Sequence, residues 1–390
     1  MKTLVAFLSV LGLLGLAARA QNVIEDRGIG ITVPPTQITE AQTLALINRV
    51  VPPLSVHPGA EAGRIARKLD RHVSEFLDGW PWMPFHHTLG ISGYEVYFNH
   101  PDEMFHALSL ALPFLSTNTA VRAKAFLGKQ LDEMPPYSVD DLDNKAGRPR
   151  ESYEVPMNLR VNGRGKARNA FGVYAFWAYV DAVGDAAITK SHWAAIKQRV
   201  QPLLDNEYKF DPANRKYTHD EAEALNGNLA ALLGVVRLAR TNVDSTTEAK
   251  ALARARQLLE LRVNLERVNP KILEATDSTT KHLHASKLAR FCALAPEVGE
   301  AVRTLTDGCG TAHLKDFREA RNAWYLAFGD RMIGGENYTT PLHLSRALFD
   351  GAVFVEQLPP EQIAGFIDVP WCKGDFYFIE KCALALSTMR

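Results

Sequence analysis

The stretch from Asn169 to Asp185 crowds Phe171, Tyr174, Phe176, Trp177 and Tyr179 into one apolar segment that ends in Gly184-Asp185. A second periodic segment follows from Ile188 to Leu204. A glycine just past a periodic run ends a helix, and an aspartate behind it starts another. The pair therefore reads as two antiparallel helices joined by a tight turn. Segments of the same design recur from about Glu61 to Met389, and strand-like alternation is nearly absent. The expected fold class is all-α, with roughly ten to twelve helices paired as hairpins.

Helical punctuation supports this along the chain. Ile65, Leu69, Val73, Phe76 and Leu77 recur at three- and four-residue intervals, an amphipathic stripe. Met104 to Leu115 follows Asn99-His-Pro-Asp-Glu103, where a proline and acids suit a helix N-terminus and its dipole. Ala120 to Leu131 returns. Thr218-His-Asp-Glu221 reads as a capping box ahead of the stripe Ala222, Leu225, Leu229, Leu232, Leu233 and Val236. Further helices are expected over Ala249 to Leu265, Lys281 to Leu294, Phe317 to Phe328, Leu342 to Phe354 and Tyr377 to Leu386. Long connections are expected at Met134 to Lys166, Asn264 to Thr279, Ile333 to Pro341 and Gln357 to Asp375. Such loops are disproportionately functional.

The N-terminus carries a different message. Lys2 precedes the apolar run Leu4 to Leu16, and Ala18-Arg19-Ala20 is a small-x-small cleavage site before Gln21. Residues 1–20 are therefore expected to be a cleavable signal peptide, and the protein secreted or periplasmic. Residues 21–59 hold Val-Pro-Pro at 33–35 and 51–53 around one short helix from Glu40 to Val50. The prolines make this an N-terminal arm laid over the surface. Residues 60–390 are expected to form a single domain.

Lysine plus arginine equals aspartate plus glutamate at 44 each, so net charge argues for neither nucleic acid nor an anionic membrane. No later stretch is apolar enough to span a bilayer. The four cysteines, Cys292, Cys309, Cys372 and Cys382, lie in the last quarter. An exported chain can oxidise them, with the local pairing Cys292–Cys309 and Cys372–Cys382 preferred among three, or leave them as buried thiols. Their spacing does not suggest structural zinc, and neither a metal nor a cofactor is expected.

The fragments Tyr97-Phe-Asn-His-Pro101, Phe176-Trp-Ala-Tyr-Val-Asp-Ala-Val-Gly-Asp185 and Ala224-Leu-Asn-Gly-Asn-Leu-Ala-Ala-Leu-Leu233 resemble hairpin segments of α/α-toroid carbohydrate-active enzymes. These are the six-hairpin glycosidases and the helical-toroid polysaccharide lyases. The resemblance covers most of residues 60–390 and is one of texture. It implies an α/α toroid and a polysaccharide or oligosaccharide partner, but carries over no family's catalytic residues.

Sugar cleavage needs two carboxylates, or a base beside a charge neutraliser. Glu336 lies in Gly334-Gly-Glu-Asn-Tyr-Thr-Thr-Pro341, where helix capping requires no acid, and Asn337 there opens a glycosylation sequon. Asp375 lies between Trp371 and Tyr377, although it also suits a cap for the last helix. His87 and Tyr94 are of the right type to take a proton. Between Lys145 and Arg168 seven basic residues face only Glu151 and Glu154. Asn162, Arg164 and Arg168 from that run suit a uronate or sulfate, since arginine binds such groups in bidentate fashion. The bland reading is a solvated positive loop. Trp80, Trp82 and Trp371 suit stacking on a sugar ring, or plugging of the core. Tyr174 and Asn226 are further contact candidates. Asn226 falls beside an apolar stripe, so its amide either lines a funnel or ties neighbouring helices.

Two functions remain open on these grounds. One is an exported enzyme that cleaves glycosidic bonds as a lyase or a hydrolase. The other is a non-catalytic helical toroid that binds glycan or protein at the cell surface.

Overall fold

A computed structural model describes residues 37–48, 60–79, 101–133, 135–138, 170–205, 218–274, 304–305 and 376–388, with the single positions 359, 362, 364 and 367. Among these residues the chain is helical and has no strand. In chain order the helices are α1 (Glu40–Ile47), α2 (Ala60–Gly79), α3 (Pro101–Ala111), α4 (Thr117–Glu133), α5 (Phe171–Val183), α6 (Ala186–Asp205), α7 (Thr218–Thr241), α8 (Ser245–Glu274) and α9 (Phe376–Thr388). Short 3-10 turns lie at Leu112–Phe114 and Pro136–Ser138. None of these helices is long and apolar enough to cross a membrane. The expected signal peptide lies outside the described residues.

The helices pack in an order that differs from their order in the chain. α8 packs on α7, α7 on α5, α5 on α3, α3 on α9, α9 on α2, and α2 on α4. The C-terminal helix is thus wedged between the two helices nearest the N-terminal side of the array. Its composition explains the position. Phe378, Ile379, Cys382, Ala383, Leu384, Ala385 and Leu386 are all buried, and a helix apolar on every side needs neighbours on every side.

The same logic governs α5. Phe171, Val173, Tyr174, Ala175, Phe176, Tyr179 and Val180 are buried between α3, α6, α7 and the Pro136–Ser138 turn. Phe105 of α3 meets Tyr179 edge-on with centroids 5.4 Å apart, and Tyr137 meets Phe176 at 5.3 Å. Asn228 of α7 lies against Ala170, and Gly234 lies against Val173 and Tyr174. Residue numbers rise together at these contacts, so α5 and α7 run parallel. Gly172 brings α5 directly onto the 3-10 turn. A Cβ there would stand 2.0 Å from the Pro136 carbonyl oxygen.

The stripe expected in α2 is the one buried: Ile65, Leu69, Val73 and Phe76 are in the core, and Phe76 meets Phe126 of α4 edge-on. Asp70 accepts the Ser116 N–H ahead of α4, and Arg122 of α4 pairs with Asp78. Leu225, Leu229, Leu232, Leu233 and Val236 of α7 are likewise buried. The arm helix ends at Ile47, short of the expected Val50, and docks on α8. Its cap is reciprocal: Thr39 Oγ1 accepts the Gln42 N–H, and Gln42 Oε1 accepts the Thr39 N–H. One connection differs from expectation. The extended link foreseen from Asn264 is helical as far as Glu274, because α8 simply continues.

Two turns use one design. Gly184 adopts a left-handed conformation (φ 76°) after α5 and donates to Val180 O, and Asp185 Oδ1 then accepts the Ala187 N–H at the start of α6. Between α7 and α8 the left-handed residue is Val243 (φ 56°). Val243 N–H bonds Arg240 O and Asp244 N–H bonds Ala239 O, the paired bonds of a Schellman motif. Asp244 then caps α8, its Oδ1 accepting the Thr247 N–H at 3.0 Å. Its Oδ2 accepts Trp193 Nε1 and Lys197 Nζ from α6, each at 3.2 Å. One aspartate, by carboxylate and backbone N–H together, therefore joins three helices.

The two backbone sites predict opposite effects. Gly172→Ala should cost about 3 kcal/mol, because the clash is with main chain that no rotamer relieves. Val243→Gly should add up to about 1 kcal/mol, since its side chain is exposed and only the left-handed strain changes. Urea unfolding of both variants measures this, and a destabilised Val243→Gly would contradict the turn geometry.

Asp244 predicts a pH dependence. The Thr247 N–H, and then Lys197 and Trp193, hold its carboxyl at about 2 against an ordinary 3.8, with partial burial opposing them. A carboxyl depressed on folding stabilises above its unfolded pKa, and loses that contribution as pH falls through the folded one. Asp244→Asn should therefore be less stable than wild type by roughly 1–2 kcal/mol near neutrality. The gap should close between about pH 4 and pH 2. A gap that persists unchanged at the acid end would locate the effect elsewhere.

Candidate functional site

The chemistry-bearing side chains of the described fold form a row across the central helices. On α3, His106 interrupts the run Met104–Leu112, and on α9, Glu380 and Lys381 interrupt a longer one; all three are buried. His106 Nδ1 and Glu380 Oε1 lie 3.3 Å apart, with side chains 2 % and 3 % exposed. Their contact offsets part of the cost of burying two ionisable groups.

From His106 the row passes to α5. The imidazole lies 5.4 Å from the Phe171 ring and 6.0 Å from Tyr174, centroid to centroid. Tyr174 neighbours Trp177 at 5.2 Å, and the Arg237 guanidinium of α7 sits 4.1 Å over the Trp177 ring. Such a cation over an indole contributes about 0.5–2 kcal/mol. On α7, Asn228 Oδ1 accepts the Ala170 N–H at 3.1 Å, meeting a donor at the α5 N-terminus that no intrahelical carbonyl reaches. Asn226 Oδ1 accepts Nε of Arg262, a fully buried α8 residue, at 2.8 Å.

A second polar group lies toward α6. Tyr137, in the 3-10 turn, shares a hydrogen bond with His192 Nδ1, and Arg199 Nε donates to the Tyr137 carbonyl at 3.1 Å. Burial pushes the Tyr137 phenol up and the His192 imidazole down, the latter opposed by Asp132. Both rings are thus neutral near pH 7. The phenol and the imidazole Nδ1 share one proton between them in a bond whose direction follows the imidazole tautomer. Burial, and then Asp132 and Asp185, also raise Tyr179. This group anchors the turn from which residues 139–169 depart, and that turn rests on Gly172 just past their return.

Of the residues singled out from sequence, Tyr174 and Asn226 fall within the described fold. Tyr174 is buried beside His106, and Asn226 holds Arg262. Glu336, Asp375, His87, Tyr94, Trp80, Trp82, Asn162, Arg164, Arg168 and Trp371 lie outside the described residues, as do Cys292, Cys309 and Cys372. Cys382 is buried in α9. Sequence reasoning missed His106, Asn228, Arg262 and Glu380. The readable signal was polar residues set inside apolar helical runs, but their partners sit on other helices. Among the described residues, no group of three or more His, Cys, Asp or Glu side chains is placed to hold a metal ion.

No family model, curated protein or solved structure matches this chain.

The His106–Glu380 contact predicts strong coupling. Glu380→Leu or His106→Leu alone should each cost about 3 kcal/mol, whereas the double replacement should cost less than their sum by at least about 1 kcal/mol. A double-mutant cycle on unfolding free energies checks this, and strict additivity would mean that the groups do not interact.

Proposed function

We propose that the chain is an exported carbohydrate-active enzyme of α/α-toroid form that cleaves glycosidic bonds of a polysaccharide, with an acidic polymer favoured. The observation that carries this reading is the position of His106. It touches Phe171 in the first turn of α5 and Glu380 near the start of α9. Arg168 precedes Phe171 by three residues, and Asp375 precedes Glu380 by five. The basic run and the aromatic-flanked acid thus lie close in sequence to two helix starts that meet at His106. The all-helical packing of sequence-distant helices is compatible with such a form.

On this reading Arg164, Arg168 and Asn162 hold the charged groups of the polymer, and Trp80, Trp82 and Trp371 stack on its rings. For hydrolysis, Glu336 and Asp375 supply the acid and the base or nucleophile. For elimination, His87 or Tyr94 takes the proton beside a neutralised carboxylate. Either chemistry uses side chains of this chain alone. The second reading is a non-catalytic toroid that binds glycan or protein, and a specific observation favours it. Tyr174 and Asn226, the two candidates in the described fold, are both engaged in packing between helices.

A panel of acidic and neutral glycans separates these outcomes. Elimination raises ultraviolet absorbance from an unsaturated product, hydrolysis releases reducing ends without it, and a binding protein does neither. Arg164→Ala should lower turnover of acidic glycans about a hundredfold, and Trp82→Ala should mainly weaken binding. Glycan binding that Trp82→Ala and Arg164→Ala abolish, with no turnover by wild type on any member, would select the second reading.

A further inference from the structure

One face of α6 holds the Pro136–Ser138 turn, and an ionisable ring is part of the grip. His192 Nδ1 meets the Tyr137 hydroxyl. Arg199, two turns further along the same face, donates Nε to the Tyr137 carbonyl at 3.1 Å. The half-buried imidazole packs against two rings, with centroids 5.3 Å from Phe176 and 5.8 Å from Tyr137. On its other side the turn rests on α5, where a Cβ at Gly172 would meet the Pro136 carbonyl.

The bond between phenol and imidazole depends on charge. A neutral imidazole keeps one ring nitrogen free to accept, so Nδ1 can take the phenol proton. In the imidazolium both nitrogens carry hydrogen, and the phenol can only accept. Its own proton then loses that partner, in a contact where Tyr137 is 7 % exposed. A buried hydroxyl proton without an acceptor costs free energy, as does a charge withdrawn from water.

The charges around His192 do not reverse this. Burial holds the ring below its ordinary 6.5, and Asp132 of α4 opposes burial without overcoming it. Tyr179 of α5, raised by burial and then by Asp132 and Asp185, is neutral near pH 7. Arg199 is itself a cation and offers no compensation. α7 and α8 also pack on α6, where Asp244 accepts from Trp193 and Lys197, and Asp205 pairs with Lys250. A ring whose pKa falls on docking stabilises the docked state above its undocked value. That contribution is lost progressively as pH falls from 6.5 through the docked value.

We propose that the Tyr137–His192 contact is an acid-released latch, which lets the Pro136–Ser138 turn come off α6 while the helical core stays folded. The turn precedes, in sequence, the basic run that begins at Lys145. The inference is independent of the carbohydrate reading. Hydrogen exchange of the full-length chain, followed by mass spectrometry and corrected for the intrinsic effect of pH, tests it. From about pH 7.5 to about pH 5, opening of the peptide that spans Pro136–Ser138 should rise at least about threefold, with peptides from α7 and α8 unchanged. His192→Asn keeps an uncharged acceptor near the Nδ1 position and should abolish the rise. No rise in wild type, a rise shared by α7 and α8, or a rise retained by His192→Asn overturns the latch. If His192→Asn does not fold, Asp132→Asn takes its place. Asp132 is exposed and favours the imidazolium, so its removal should leave the rise at least as large as in wild type. A smaller rise in that variant overturns the proposal.

Discussion

Burial of the aromatic face of α5 is the constraint to which the neighbouring helices conform. A helix that carries Phe171, Val173, Tyr174, Phe176 and Tyr179 needs most of its surface covered, and α3, α6, α7 and a 3-10 turn each cover part of it. Each fully buried side chain of this size contributes about 1.5–3 kcal/mol. That burial holds α7 against α5, and the absence of a side chain at Gly172 lets the Pro136 carbonyl lie on it. α9 repeats the arrangement from the other end of the chain. Its buried run is satisfied only by insertion between α2 and α3, so sequence-distant segments become one array.

Such a core leaves little freedom to its polar members. His106 must meet Glu380, Arg262 must meet Asn226, and the open N-terminus of α5 must find Asn228, because an unpaired polar group in this interior costs more than a pair gains. Each contact joins two helices. Packing thus makes the helices adjacent, and the polar row sets their register.

The turns show how one physical role can be written in different letters. Gly184-Asp185 and Val243-Asp244 each put a left-handed residue after one helix and a capping aspartate before the next. Only the first was legible, because glycine announces the left-handed conformation and valine disfavours it. Val243 holds that conformation because its turn is locked by Asp244 bonds to Ala239, Thr247, Trp193 and Lys197. Those partners lie on three helices.

Local pattern determined the helical class, the α2 and α7 core stripes and the α5–α6 hairpin, because periodicity, caps and glycine act over a few residues. The end of the arm helix and the continuation of α8 to Glu274 were not legible, since docking and packing overrule weak end signals. Of the candidate site, Asn226 could be suspected from its place beside a stripe, but Arg262, thirty-six positions away, could not be named as its partner. His106 with Glu380, and Ile38 with Arg256 and Glu260, lie farther apart still. Tertiary structure alone decided these pairs. A buried polar atom takes whichever partner packing brings within hydrogen-bond reach, and that choice leaves no periodic trace in the chain.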